Sequence, residues 1–113
     1  MKKIEAIIKP SKLSNVKDAL HEIGLSGMTV SDVKGFGRQR GQDGGLNISP
    51  DYDDEFRVKI KIELIIEDKL VEKALEAVKN AAYSGKIGDG KIFIYTIDQV
   101  IRIRTGEKDS DAV

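Results

Sequence analysis

Twice along this chain an apolar, strand-like run leads into a helical pattern and then into a second strand-like run. Ile4-Glu5-Ala6-Ile7-Ile8 is followed by Leu13, Val16, Ala19, Leu20 and Ile23 at three- and four-residue spacing, then by Met28-Thr29-Val30-Ser31-Asp32-Val33. Ile62-Glu63-Leu64-Ile65-Ile66 is followed by Leu70, Val71, Ala74, Leu75, Val78 and Ala82 at the same spacing, then by Lys91 to Thr96. Recurrence at three and four residues marks one buried helix stripe, and apolar runs rich in branched side chains mark strands. Pro10 suits the start of the first helix, and Gly24 and Gly27 suit its end.

Two split βαβ units close most simply into one antiparallel sheet with both helices on one face. The fold class expected is therefore α+β, a ferredoxin-like double βαβ sandwich. At 113 residues the chain makes a single domain, 1–113, with a modest core. A long segment without sustained period, at about residues 37–55, separates the halves and carries Asp51, Asp53, Asp54 and Glu55 at its acidic end. Loops of this length inside a compact domain usually carry function. A last run, Val100 to Arg104, is left over and is expected to form a short strand against a sheet edge or a neighbouring chain.

Charge and composition remove several classes of function. Lys plus Arg and Asp plus Glu number 19 each, so no overall field draws the chain to nucleic acid or to a membrane surface. Without cysteine there is no disulfide framework, thiolate nucleophile or zinc cluster. The single histidine, His21, lies in the first helical pattern, which argues against a histidine-based triad or metal site. No run reaches membrane-spanning length, and Met1-Lys2-Lys3-Ile4-Glu5 lacks the apolar core of a signal peptide. A cytoplasmic protein without membrane insertion is expected.

Against that neutral background, cationic and glycine-rich segments cluster. Gly85-Lys86-Ile87-Gly88-Asp89-Gly90-Lys91 runs directly into an apolar strand. Glycines let successive N–H groups turn toward an anion, and Lys91 adds charge. In the expected last strand Arg102 and Arg104 would lie about 7 Å apart on one side, a spacing suited to successive phosphates. Strict alternation from Phe56 to Ile66 places Lys59, Lys61 and Glu63 together, opposite the core. Gly35-Phe36-Gly37-Arg38-Gln39-Arg40-Gly41 is a second basic glycine turn, and neither turn opens a helix as a Walker loop would. The phosphates of a nucleotide would then sit in a cleft between segments.

In register, these blocks resemble the PII nitrogen-signalling proteins. The resemblance runs through Met1 to Pro10, Gly27 to Val30, Val33 to Gln39, Val58 to Glu63, Gly85 to Phe93 and Val100 to Glu107. It implies a PII-type homotrimer with nucleotide sites between neighbours, competitive ATP and ADP, and Mg2+ with ATP accompanied by 2-oxoglutarate. It also implies that the long loop, the T-loop, docks on an ammonium transporter or a nitrogen-metabolism enzyme or regulator. Carried over by position, Gly88, Asp89, Gly90, Lys91, Arg102 and Arg104 would hold the phosphates, with Gly35, Gly37 and Arg38 contributing. Ile7, Thr29, Glu63 and Ile65 would frame the adenine. Gln39 would ligate the metal and, with Lys59 and Gly88, hold 2-oxoglutarate.

The chain departs from the family pattern between Gln42 and Tyr52, where Tyr52 aligns with a tyrosine that many relatives have uridylylated. Two alternatives stand beside the sensor reading. One is an adenine-nucleotide sensor with a non-nitrogen partner and no 2-oxoglutarate response. The other is a slow ATP-hydrolysing or acylphosphatase-like enzyme, against which stands the lack of a visible acid, base and nucleophile cluster. No enzyme activity is expected, and no nucleic-acid partner, since the strands lack paired aromatics.

Overall fold

The computed structural model describes residues 1–36 and 57–113. The strands are β1 (Lys2–Ile8), β2 (Thr29–Gly35), β3 (Arg57–Ile66) and β4 (Lys91–Thr96), and the helices are α1 (Leu13–Glu22) and α2 (Val71–Ala82). The sheet order is β2-β3-β1-β4, and every neighbouring pair is antiparallel. Each βαβ unit is thus split by a strand of the other, which is the expected ferredoxin-like arrangement.

The alternation in the strands sets the two faces. Ile4, Ala6 and Ile8 of β1 and Ile60, Ile62, Leu64 and Ile66 of β3 are buried toward the helices. They pack with Val16 and Leu20 of α1 and with Ala74, Val78 and Ala82 of α2. The opposite face of β1 and β3 presents Lys3, Glu5 and Ile7 beside Lys61, Glu63 and Ile65. Lys3 reaches Glu63 at 2.6 Å and Glu5 at 3.6 Å, and the Tyr95 hydroxyl donates to Glu5 at 3.2 Å. These polar groups satisfy one another on the open face, which leaves the apolar drive to the helix side.

Both helices begin with a 3-10 turn, Pro10–Lys12 before α1 and Asp68–Leu70 before α2. Proline at the first position of the earlier turn presets φ where the missing N–H has no intrahelical partner to lose. Gly24, at φ 90, stops the chain after α1.

One expected element is not formed. Val100 to Arg104 is not a strand; Ile101 makes a single antiparallel bridge to Lys108, and the intervening residues reverse the chain. Arg102 N–H donates to the Glu107 carbonyl and Gly106 N–H donates to that of Arg102, both at 2.8 Å. Gly106 sits at φ 74, and Thr105 donates to the Glu107 carboxylate at 2.8 Å. Local turn bonding has outcompeted extended pairing, so the strand-based spacing of Arg102 and Arg104 does not apply.

Candidate ligand-binding site

Residues 83–90 connect α2 to β4 and lie against the ends of β1 and β3. Gly85, Gly88 and Gly90 take φ of 83, 103 and 95, values that side-chain-bearing residues rarely adopt. At Gly90 the backbone also approaches Ile7 so closely that a Cβ would lie 1.6 Å from its carbonyl oxygen. Two glycine properties, left-handed φ and the absent side chain, are therefore both used at that position.

Asp89 ties the loop together. Its carboxylate accepts from the N–H groups of Ser84 at 2.8 Å and Gly85 at 2.9 Å, and from the Ser84 hydroxyl. Lys9, the residue after β1, lies 3.2 Å from the same carboxylate and donates to Ser84 Oγ at 3.0 Å. The Ser84 hydroxyl bond, followed by these backbone and lysine donors, holds the carboxyl far below its ordinary value despite some desolvation.

Lys59 reaches the loop from β3. The residue is only 8% exposed, and its ammonium donates to the Gly88 carbonyl oxygen at 2.7 Å. Burial pushes its pKa below the ordinary 10.5, and the charge of Lys9 pushes the same way. Such a lysine has room to gain from an anionic partner, which would offset the cost of desolvating its charge.

Around these groups opens a cavity of about 510 Å³. Ile7, Phe36 and Ile87 supply apolar wall, and Arg57, Lys59, Lys86 and Lys91 supply cationic side chains; among the described residues Asp89 is the one acid that lines it. Among the described residues none accepts a hydrogen bond from the N–H of Gly88 or Gly90. Cationic side chains and uncommitted glycine amides form a receiving surface for a phosphate or carboxylate.

Of the residues singled out from sequence, Ile7, Gly35, Lys59, Gly88, Asp89, Gly90 and Lys91 meet at this cavity. Thr29, Glu63 and Ile65 share its face of the sheet without lining it. Thr29 lies opposite Glu63, and Ile65 lies opposite Lys3. Glu63 is four residues beyond Lys59, about 13 Å along the strand at ~3.3 Å per residue. It is held by Lys3, whose hydrogen bond lowers the Glu63 pKa while its own is raised. Arg102 and Arg104 sit in the C-terminal turn and are not among the residues lining the cavity, with Arg102 4.0 Å from Glu107. Gly37, Arg38, Gln39 and Tyr52 lie outside the described residues, as does the segment 37–55. Sequence reasoning assigned no role to Arg57 and Lys86, which line the cavity, or to Lys9 and Ser84, which hold Asp89. The signal for Ser84 was present as a hydroxyl and a glycine shortly before an aspartate, a common side-chain-to-backbone turn pattern.

The fold is a ferredoxin-like sheet with a basic cleft under a glycine loop. The family model described as "Nitrogen regulatory protein P-II" matches residues 1–107. Proteins named nitrogen regulatory protein P-II from Rhodospirillum rubrum and Azospirillum brasilense are 61% and 57% identical over 113 residues, covering all of each chain. Nitrogen regulatory protein P-II 1 of Escherichia coli is 50% identical over the same full length. The chain belongs to the P-II nitrogen regulatory family, a family of signalling proteins rather than enzymes. Among the described residues no helix is long and apolar enough to cross a membrane.

Proposed function

We propose that the chain works as a cytoplasmic homotrimeric sensor that binds ATP or ADP at the glycine-loop cleft. With Mg-ATP bound it takes 2-oxoglutarate, and the ligand state is reported through the long loop to an ammonium transporter or a nitrogen-metabolism enzyme or regulator. One observation carries this reading: Lys59 and the glycine loop share one cationic cavity, so a carboxylate and a phosphate can be received side by side. Glycine amides and Lys91 suit phosphate oxygens, and the buried ammonium of Lys59 suits a carboxylate.

Thr29, Glu63 and Ile65 frame adenine at the far end of the same face, together with Ile7. Arg102 and Arg104, displaced from the cavity of their own chain, serve a neighbour's site in the trimer. Gly35, Gly37 and Arg38 complete the phosphate contacts. Magnesium retains water and leans on phosphate oxygens, needing few protein ligands, so Gln39 with the nucleotide suffices to hold it. A ligand can redirect the loop only by binding its alternative conformations with different affinity.

The departure of residues 42–52 from the family pattern favours a second reading, a sensor of adenine nucleotides with another partner and no 2-oxoglutarate response. Tyr52 is the candidate modification site; treatment with a uridylyltransferase and UTP, followed by mass spectrometry, tests it. Calorimetry with ATP, ADP, and Mg-ATP plus 2-oxoglutarate, beside native mass spectrometry, separates the two readings. The sensor predicts a trimer that binds both nucleotides, with a further heat for 2-oxoglutarate only beside Mg-ATP. Adenylate binding without that heat selects the second reading. A monomer silent to all adenylates overturns both.

A further inference from the structure

The Asp89 carboxylate sits at the phosphate-receiving loop, where an unpaired negative charge would repel an anion. Both of its oxygens are nevertheless committed. Oδ2 accepts the Ser84 and Gly85 N–H groups, while Oδ1 takes the Ser84 hydroxyl and Lys9. Four donors fill the acceptor capacity of a carboxylate. It has no lone pair to offer a metal or a ligand hydroxyl. Ser84 Oγ in turn accepts from Lys9 and, at 3.4 Å, from the Lys86 N–H. Four of these contacts lie within residues 84–89, and the two from Lys9 tie the cluster to the end of β1.

We propose that Lys9 and Ser84 are positioning residues for nucleotide binding, with Asp89 as their brace rather than a ligand. Ser84 fixes the shape of the loop, and Lys9 anchors it to β1 and cancels the Asp89 charge beside the phosphates. The proposal rests on the nucleotide reading above and extends it to two residues outside the binding surface. The two roles are separable. Loss of the Ser84 hydroxyl loosens the loop without changing charge. Loss of the Lys9 ammonium leaves the Asp89 charge without its cation, and that penalty grows with the charge of the ligand.

The test compares ATP and adenosine binding by calorimetry for the wild type, Ser84→Ala, Lys9→Met, Lys9→Arg, Asp89→Asn and Lys9→Met with Asp89→Asn. Ser84→Ala and Lys9→Met are each expected to weaken ATP about tenfold, the scale of a charge-assisted hydrogen bond. Lys9→Met should change adenosine affinity by less than about twofold, since adenosine carries no charge to repel. Lys9→Arg should retain ATP affinity. Adding Asp89→Asn to Lys9→Met should recover part of the lost affinity, a reversal that a purely structural role would not produce. Hydrogen exchange of the Gly88 and Gly90 amides in ligand-free Ser84→Ala should be faster than in the wild type.

Wild type that binds no ATP would remove the nucleotide reading and this inference with it. Wild type that binds ATP, beside Ser84→Ala and Lys9→Met of equal affinity, would remove the brace alone. A Lys9→Met loss of equal size for ATP and adenosine would refute the charge-cancelling role.

Discussion

The Lys59 ammonium and the Gly88 carbonyl oxygen, 29 residues apart in sequence, meet at 2.7 Å. This bond joins β3 to the glycine loop and holds a buried cation against a neutral acceptor. A carboxylate is the stronger partner for that cation. A ligand carboxylate arriving at Lys59 would therefore compete with Gly88 and alter the loop beside it, linking two ligand sites through one side chain. Lys59→Ala is expected to weaken 2-oxoglutarate by at least about tenfold, while ADP affinity changes by less than about threefold. Equal losses for both ligands in calorimetry would contradict this division.

Lys91 provides the converse case. It opens β4 directly after the loop, is exposed, and lies opposite Ile7 at the cavity. Its charge can serve any phosphate chain placed there, whatever its length. Lys91→Ala should weaken ATP and ADP alike, each by about tenfold for one charge-assisted contact. Nucleotide titrations showing loss of one and not the other would assign Lys91 to a single phosphate.

Gly90 and Gly106 separate two costs of placing a side chain at positive φ. Both have left-handed backbones, at φ 95 and 74, but a Cβ at Gly90 collides with Ile7 while one at Gly106 meets nothing within 4 Å. Gly106→Ala should lower stability by about 1 kcal/mol, the conformational term alone. Gly90→Ala should cost more than about 2 kcal/mol, because the backbone must also move, and should impair nucleotide binding. Urea unfolding of both variants is the check; matching midpoints would mean that the loop yields easily at Ile7.

Much of this architecture could be read from sequence because it is periodic. Ile4, Ala6 and Ile8, and the alternating members of β3, had to share a face whatever they packed against. Lys91 to Thr96 began and ended where the apolar run did. The run ending at Arg104 failed for the same reason that the others succeeded: alternation states which way side chains point, not whether a partner strand exists. Gly106 and Glu107 closed a turn there instead. The burial of Lys59 could not be foreseen, since a lysine on an open sheet face is normally solvated. Its cover comes from the loop after α2, whose Gly88 carbonyl it meets across 29 residues of sequence. Lys9 and Ser84 were hidden likewise, being 75 residues apart and joined by tertiary closure alone.

Acid titration gives a further reading of the loop. The Asp89 pKa is depressed below its ordinary 3.8 in the folded chain, so the folded state binds its proton less readily than the unfolded one. The stability this supplies is complete above the unfolded value and is lost as pH falls through the folded one. Glu63 and Asp68 are also depressed, from 4.5 and 3.8, by hydrogen bonds from Lys3 and from the N-terminal ammonium. All three contributions therefore fade in the same acid window, and a single wild-type curve cannot apportion them. Asp89→Asn isolates one. The urea midpoint of the wild type should exceed that of Asp89→Asn by a constant amount from about pH 7 to pH 5, and the gap should narrow below about pH 4. A gap unchanged down to about pH 3 would mean that the native bonds of Asp89 do not favour its ionised form.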